Sequence, residues 1–197
     1  MLEQDSATPI WSIGYGNQET TWFFDQLAAH QIQFLIDVRT APFSRFRPLF
    51  NRENLVQELE SRGVQYLFMG EELGGRPADP DLYREGKVVY RKVRETDLFK
   101  AGIQRVQEAS RQGFRVCLFC SEEDPMRCHR SKMIGEDLAE AGFSVQHIKP
   151  PNSLESQESV ILRLTGGQMS LFGEDFTSNR AFLKEDDEGD LEGRPDD

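Results

Sequence analysis

Apolar runs and amphipathic segments alternate along most of the chain. Ile10-Trp11-Ser12-Ile13 is a largely apolar run closed by Gly14-Tyr15-Gly16-Asn17, the pattern of a buried strand ending in a sharp turn. Phe23, Phe24, Leu27 and Ala28 then share one helical face, with Thr20 or Thr21 placed to cap it. Phe34-Leu35-Ile36-Asp37-Val38 reads as a second strand. Asn51 precedes a helix with Leu55, Val56 and Leu59 inward, stopped at Gly63. Val64 to Phe68 predicts a third strand, whereas residues 77–92 show no clear period and predict an irregular insertion. Leu98, Gly102, Ile103, Val106 and Ala109 keep helical spacing up to Gly113, and the strand Phe114 to Phe119 follows. Ile134, Leu138 and Ala141 mark a further helix, and Ser144 to Ile148 a last short strand.

Strands alternating with amphipathic helices predict an α/β fold, Rossmann-like, with a largely parallel sheet of about five strands flanked by helices. Ligands of such sheets bind outside the carboxyl ends of the strands. The unusual segments, 14–17, 39–52, 70–77 and 120–130, each follow a strand directly and are expected to meet in one crevice. The character changes after Pro150-Pro151. Residues 1–150 read as the α/β domain and 151–197 as a polar, acidic tail that is mostly disordered, from Lys184 onward above all.

Charge changes the picture little. The net charge is −11, but residues 184–197 hold eight of the 34 acidic residues and two of the 23 basic ones, which leaves −5 for the rest. Nothing in this balance announces a nucleic-acid binder, although a local basic patch is compatible with it. Three cysteines argue against a secreted disulfide framework. Met1-Leu2-Glu3-Gln4-Asp5 has no leader pattern and no apolar run reaches membrane-spanning length, so a cytoplasmic protein without membrane contact is expected.

The chemistry concentrates in Cys120-Ser121-Glu122-Glu123-Asp124-Pro125-Met126-Arg127-Cys128-His129-Arg130. Cys117 and Cys120 imitate a C-x-x-C motif, but within a strand their Cα atoms lie roughly 10 Å apart, beyond disulfide reach. Cys117 is therefore read as core. Three functional readings of the loop stand beside the plain one, in which Arg127 and Arg130 neutralise an acidic turn. Cys120 is a nucleophile with His129 or Glu122 as its base and Arg130 near an anion. Or Cys120, Cys128 and His129 bind a metal, although C-x7-C-H is an unfamiliar zinc spacing and adjacent Cys and His rarely ligate together. Or Cys120 and Cys128 form a reversible disulfide. The first is preferred, with Cys128 left undecided and no residue assigned to a metal. Phosphatase chemistry is disfavoured, because no C-x5-R spacing exists and the carboxylates would repel phosphate.

Residues 39–52 carry Arg39, Arg45, Arg47 and Arg52 and no acid, interleaved with Phe43, Phe46 and Phe50. Such a patch suits nucleotides or single-stranded nucleic acid, or else pairs with Glu122, Glu123 and Asp124 across the crevice. Leu73-Gly74-Gly75-Arg76-Pro77 allows close backbone approach to a ligand. Together, Gly14-Tyr15-Gly16-Asn17, Asp37-Val38-Arg39 with Pro42 and Ser44-Arg45, Phe50-Asn51, Leu73-Gly74-Gly75-Arg76, and Cys120…Glu122…Pro125…Cys128-His129-Arg130 resemble the family catalogued as domain of unknown function 488. The resemblance spans roughly residues 10–148 and implies a Rossmann-like domain with its site at those positions. It implies no reaction.

In the tail, Gln168-Met169-Ser170-Leu171-Phe172 resembles the pentapeptide by which bacterial proteins bind the DNA sliding clamp, with Met169 for its first Leu. The alternative is that Leu171 and Phe172 dock on their own domain. The resulting expectation is an enzyme acting on an anionic substrate, nucleotide or nucleic acid, and tethered to the clamp. A non-catalytic accessory or ligand-binding module, and a thiol redox or metal sensor, are the alternatives. Cofactor and oligomeric state are not specified by the sequence.

Overall fold

The computed structural model describes residues 7–167 and 176–182. In chain order the strands are β1 (Ile10–Gly14), β2 (Phe34–Asp37), β3 (Gln65–Phe68), a hairpin of β4 (Tyr83–Arg84) and β5 (Lys87–Val88), then β6 (Val116–Cys120), β7 (Val145–Lys149) and β8 (Ser153–Ser156). All but the hairpin form one sheet in the order β3-β2-β6-β1-β7-β8. Its pairs are parallel except the last, where β8 runs antiparallel to β7. The helices are α1 (Thr20–Ala29), α2 (Arg52–Glu60), α3 (Gly70–Leu73), α4 (Tyr90–Arg94), α5 (Asp97–Arg111), α6 (Glu136–Glu140) and α7 (Gln157–Leu164).

The chain steps outward from β1 to β2 to β3, then returns to insert β6 between β1 and β2. Right-handed crossovers in opposite directions place their helices on opposite faces of the sheet. Two apolar layers result. Phe23, Leu27, Leu55 and Leu59 of α1 and α2 pack with Ile13, Leu35, Cys117 and Phe119. Phe99, Ile103, Val106 and Leu138 of α5 and α6 pack with Ile10, Ile36, Val116, Leu118 and Cys120. Alternation along β6 thus sends Cys117 and Cys120 to opposite faces, which removes the C-x-x-C imitation and leaves Cys117 in the core.

Several elements differ from the sequence reading. The sheet has six strands rather than about five, because the chain continues past Pro150 into β8 and α7, whose Gln157 and Val160 are buried. Residues 77–92 are ordered as a 3-10 turn (Pro80–Leu82), the β4–β5 hairpin and the start of α4. In α5 the inward face is set by Phe99, Gly102, Ile103, Val106 and Ser110, while Leu98 is 56% exposed. Neither Thr20 nor Thr21 caps α1; Glu19 holds the N-cap position without a side-chain bond. Ahead of α6, Arg130–Gly135 is a π-helix, a form that recurs at functional sites. The expected disorder from Lys184 and the clamp-like peptide 168–172 lie outside the described residues. Among the described residues no helix is long and apolar enough to cross a membrane.

Candidate functional site

A cavity of about 80 Å3 opens at the carboxyl ends of β2 and β6. Arg39 and Thr40 leave β2, Cys120, Ser121 and Glu122 leave β6, and Arg127, Cys128 and His129 close the same loop. Gly75 and Arg76 arrive from the segment after α3, and Tyr90 from α4. Ser178, Asn179, Arg180 and Phe182 complete the wall from far along the chain. That last segment is tied down by the Ser178 amide on the Val88 carbonyl (3.0 Å) and by Asn179, which bonds both the Arg127 carbonyl and Lys132.

His129 orders the thiols. Its Nε2 lies 2.9 Å from the Val38 carbonyl, which can only accept, so Nε2 carries the proton of the neutral ring. Nδ1 is left facing Cys120 Sγ at 3.9 Å and Cys128 Sγ at 3.7 Å. These three atoms lie within 4.8 Å of one another, and they are the described groups that could hold a metal ion. Bare backbone also approaches the ring at this nitrogen: a Cβ on Gly75 would stand 2.8 Å from Nδ1. Cys128 Sγ also accepts from Arg130, through Nε at 3.2 Å and the backbone N–H at 3.5 Å. The two thiols accordingly part. Burial opposes ionisation of Cys128, but the Cys120 hydrogen bond and the Arg130 charge and donors bring it down to about 6. Cys120 is pushed up by its hydrogen bond to Cys128, then by burial and the Cys128 charge.

Arg130 is fully buried. Its Nη2 donates to the Glu122 carbonyl and its Nη1 to Ser12 Oγ at 3.0 Å. Ser12 Oγ lies 2.6 Å from His147 Nδ1, and His147 Nε2 lies 2.8 Å from Gln157 Oε1. The Gln157 amide nitrogen is committed to the Ser131 carbonyl and Glu136, so its oxygen faces the ring. His147 Nε2 therefore bears the proton, Nδ1 accepts from the Ser12 hydroxyl, and the Ser12 oxygen is free to accept from Arg130. A charged imidazole would break this chain; burial and the Arg130 charge hold His147 down at about 4.

Arg39 is the second buried guanidinium, 1% exposed. Asp37 binds it through Nε (2.9 Å) and Nη2 (2.6 Å), and Nη2 also meets the Phe50 carbonyl at 2.8 Å. Its Nη1 has no partner; Ser131 Oγ is the other such buried side-chain atom among the described residues. Tyr66 donates to the same Asp37 carboxylate at 2.7 Å.

Of the residues singled out by sequence, Arg39, Gly75, Arg76, Cys120, Glu122, Cys128 and His129 line the cavity, and Arg130 stands directly behind Cys128. The other described candidates for ligand binding do not line it. Tyr15 is core, stacked on Phe50 with ring centroids 4.2 Å apart. Asn51 Oδ1 accepts the Ser44 amide at 2.6 Å, folding the 39–52 loop on itself. Asp37 positions Arg39, and Gly74 gives the Gly70 carbonyl and Thr40 room to approach. Asn17 and Arg45 are exposed, the latter over the Phe46 ring at 4.7 Å. Of its four arginines the basic loop therefore contributes only Arg39 to the cavity, beside Thr40. Nor do its arginines neutralise the acidic turn: Arg47 binds the Gly16 and Gln18 carbonyls, while Asp124 pairs with Arg163 at 3.1 Å. Gly14 and Gly16 buttress the thiol loop from behind, where a Cβ on Gly14 would overlap the Glu122 carbonyl oxygen.

Sequence reasoning passed over Ser12, His147 and Gln157, although Ser12 stood out as a polar position within an apolar strand. It had no signal for Tyr90 or for residues 178–182, which are brought in only by long-range packing.

A family model described as Domain of unknown function DUF488 matches residues 20–135, which include Arg39, Gly75, Arg76 and the whole thiol loop. The chain belongs to that family. The match is shorter than the resemblance over residues 10–148 and omits Gly14 to Asn17 and His147. No curated protein and no solved structure matches the chain.

Proposed function

We propose that this DUF488 protein is an enzyme acting on an anionic substrate, whose charged group enters the cavity and meets Cys120, Cys128 and His129. The observation that carries the reading is Arg39, a buried guanidinium with an unpartnered Nη1, in a cavity that Arg76, Arg127 and Arg180 also line. A buried N–H without an acceptor costs about 1–3 kcal/mol, so an anionic oxygen at that position is favoured. The cavity takes the head of a substrate and leaves the remainder outside, as a nucleotide or a nucleic-acid phosphate would be held. Glu122 on the cavity wall is assigned the proton-transfer role. Arg130 is the positioning residue behind Cys128.

The test is calorimetric titration of the full chain with inorganic phosphate, 5′-AMP and a short single-stranded oligonucleotide, each followed by mass spectrometry of the ligand. The reading expects binding that weakens with salt and falls at least tenfold in Arg76→Ala. Absence of binding by all three at millimolar concentration contradicts it. Binding with no ligand ever altered supports the non-catalytic module instead.

We propose further that Gln168-Met169-Ser170-Leu171-Phe172 tethers the enzyme to the DNA sliding clamp, in the bacterial cytoplasm. Two large apolar residues in a polar, Gly-flanked stretch support this, and the peptide lies in sequence between α7 and the cavity-lining residues 178–182. A tethered enzyme needs no basic exterior to reach DNA.

A further inference from the structure

We infer that Cys120 Sγ, Cys128 Sγ and His129 Nδ1 form a three-ligand site for a thiophilic divalent cation, zinc above all, with its fourth position open to the arginine-lined cavity. It rests on the anion-binding reading only for what occupies that fourth position.

Distances argue first. Tetrahedral zinc with Zn–S of about 2.3 Å and Zn–N of about 2.0–2.1 Å separates S from N by about 3.6 Å and S from S by about 3.8 Å. The observed S–N separations are 3.9 and 3.7 Å, and all three atoms lie within 4.8 Å of one another. The sulfur–nitrogen edges close with a shift of a few tenths of an ångström, and the sulfur–sulfur edge, within 4.8 Å, with one of at most about 1 Å.

Orientation argues second. A ligating histidine usually donates its other N–H to a carbonyl or carboxylate, which fixes tautomer and ring direction. His129 does so to Val38, so the nitrogen facing the thiols is the one with a lone pair. Cys128 Sγ is held by two N–H donors from Arg130, the outer contacts that steady a metal-bound thiolate.

The objection to adjacent Cys and His ligands disappears in the backbone. In a uniform strand or helix successive side chains diverge. Here Cys128 is extended (φ −116°, ψ 147°) and His129 turns into the helix (φ −62°, ψ −20°), and that break points both side chains at Cys120. A donor set of two sulfurs and one imidazole nitrogen selects zinc over magnesium or calcium. Three protein ligands with one open position is the arrangement of zinc sites that act on a substrate or water. Cys117 faces the opposite side of the sheet and takes no part.

The test is metal analysis of the reduced full chain purified without chelator, followed by cobalt reconstitution. Expected are about one zinc per chain, a thiolate-to-cobalt band in the near ultraviolet, and tetrahedral visible bands. Cys117→Ala should keep both signatures, while Cys120→Ser and His129→Gln should weaken cobalt binding at least tenfold. A wild-type chain that takes up neither ion overturns the inference, and so does unchanged binding in Cys120→Ser. The wild-type result decides even if a variant fails to fold. Phosphate titration of the zinc-loaded and zinc-free chain keeps the two proposals apart: phosphate binding without metal binding defeats this one alone, and metal binding without any anion defeats the other.

Discussion

Two buried guanidiniums, Arg39 and Arg130, define the site, and their partners differ in kind. Arg130 is matched by neutral oxygens and by the Cys128 sulfur, whose ionisation its charge and donors favour, whereas Arg39 depends on one carboxylate. Removing one member of a buried pair leaves a charge without compensation, a loss of about 3–5 kcal/mol. Asp37→Asn is expected to lower the unfolding free energy by that amount in a denaturant titration; a change under 1 kcal/mol would show that Arg39 finds another partner. Close approach is the second constraint on single residues. Gly14→Ala would drive a methyl group into the Glu122 carbonyl and push the loop away from Arg130. The expected cost is about 1–3 kcal/mol, measured the same way.

Among the elements, β7 and the π-helix carry the least visible part of the site. His147 is held neutral, with its pKa near 4 against an ordinary 6.5. Between those values the unfolded chain binds a proton that the folded chain refuses, so stability is complete above pH 6.5 and falls as the pH drops toward 4. The full loss is on the order of 3 kcal/mol. Comparing wild type with His147→Gln across that window should show the steeper acid loss in wild type; equal slopes would remove His147 as its source. Because β8 and α7 supply Gln157 and cover β7, a chain ended at residue 150 is expected to lose cooperative unfolding. The strands were legible because a buried parallel strand is a nearly continuous apolar run, as in Ile10 to Ile13, broken only by Ser12, and Val116 to Phe119. β8 was not, since Ser153-Leu154-Glu155-Ser156 is a polar edge strand whose pairing depends on β7 alone.

At the scale of the whole molecule, inserting β6 between β1 and β2 brings Cys120 beside the carboxyl end of β2, and so beside Arg39. The sequence placed both residues after strands and hence near one crevice. It could not separate cavity arginines from those that fold their own loop, because Arg39 and Arg45 differ in burial and not in type. Nor could it foresee residues 178–182 closing the site, as nothing local specifies where a polar segment returns. The tether belongs to this scale too. A pull-down on the sliding clamp is expected to retain the wild-type chain and lose Leu171→Ala/Phe172→Ala, and equal retention would remove the clamp from the account.

The central claim is that the cavity beside the thiols receives an anion. A crystal structure grown with tungstate, located by its anomalous signal, tests it most directly. The account predicts the oxyanion in the cavity, with an oxygen within hydrogen-bond distance of Arg39 Nη1 and in reach of the Arg76, Arg127 or Arg180 side chains. A cavity without tungstate at saturating concentration would contradict it.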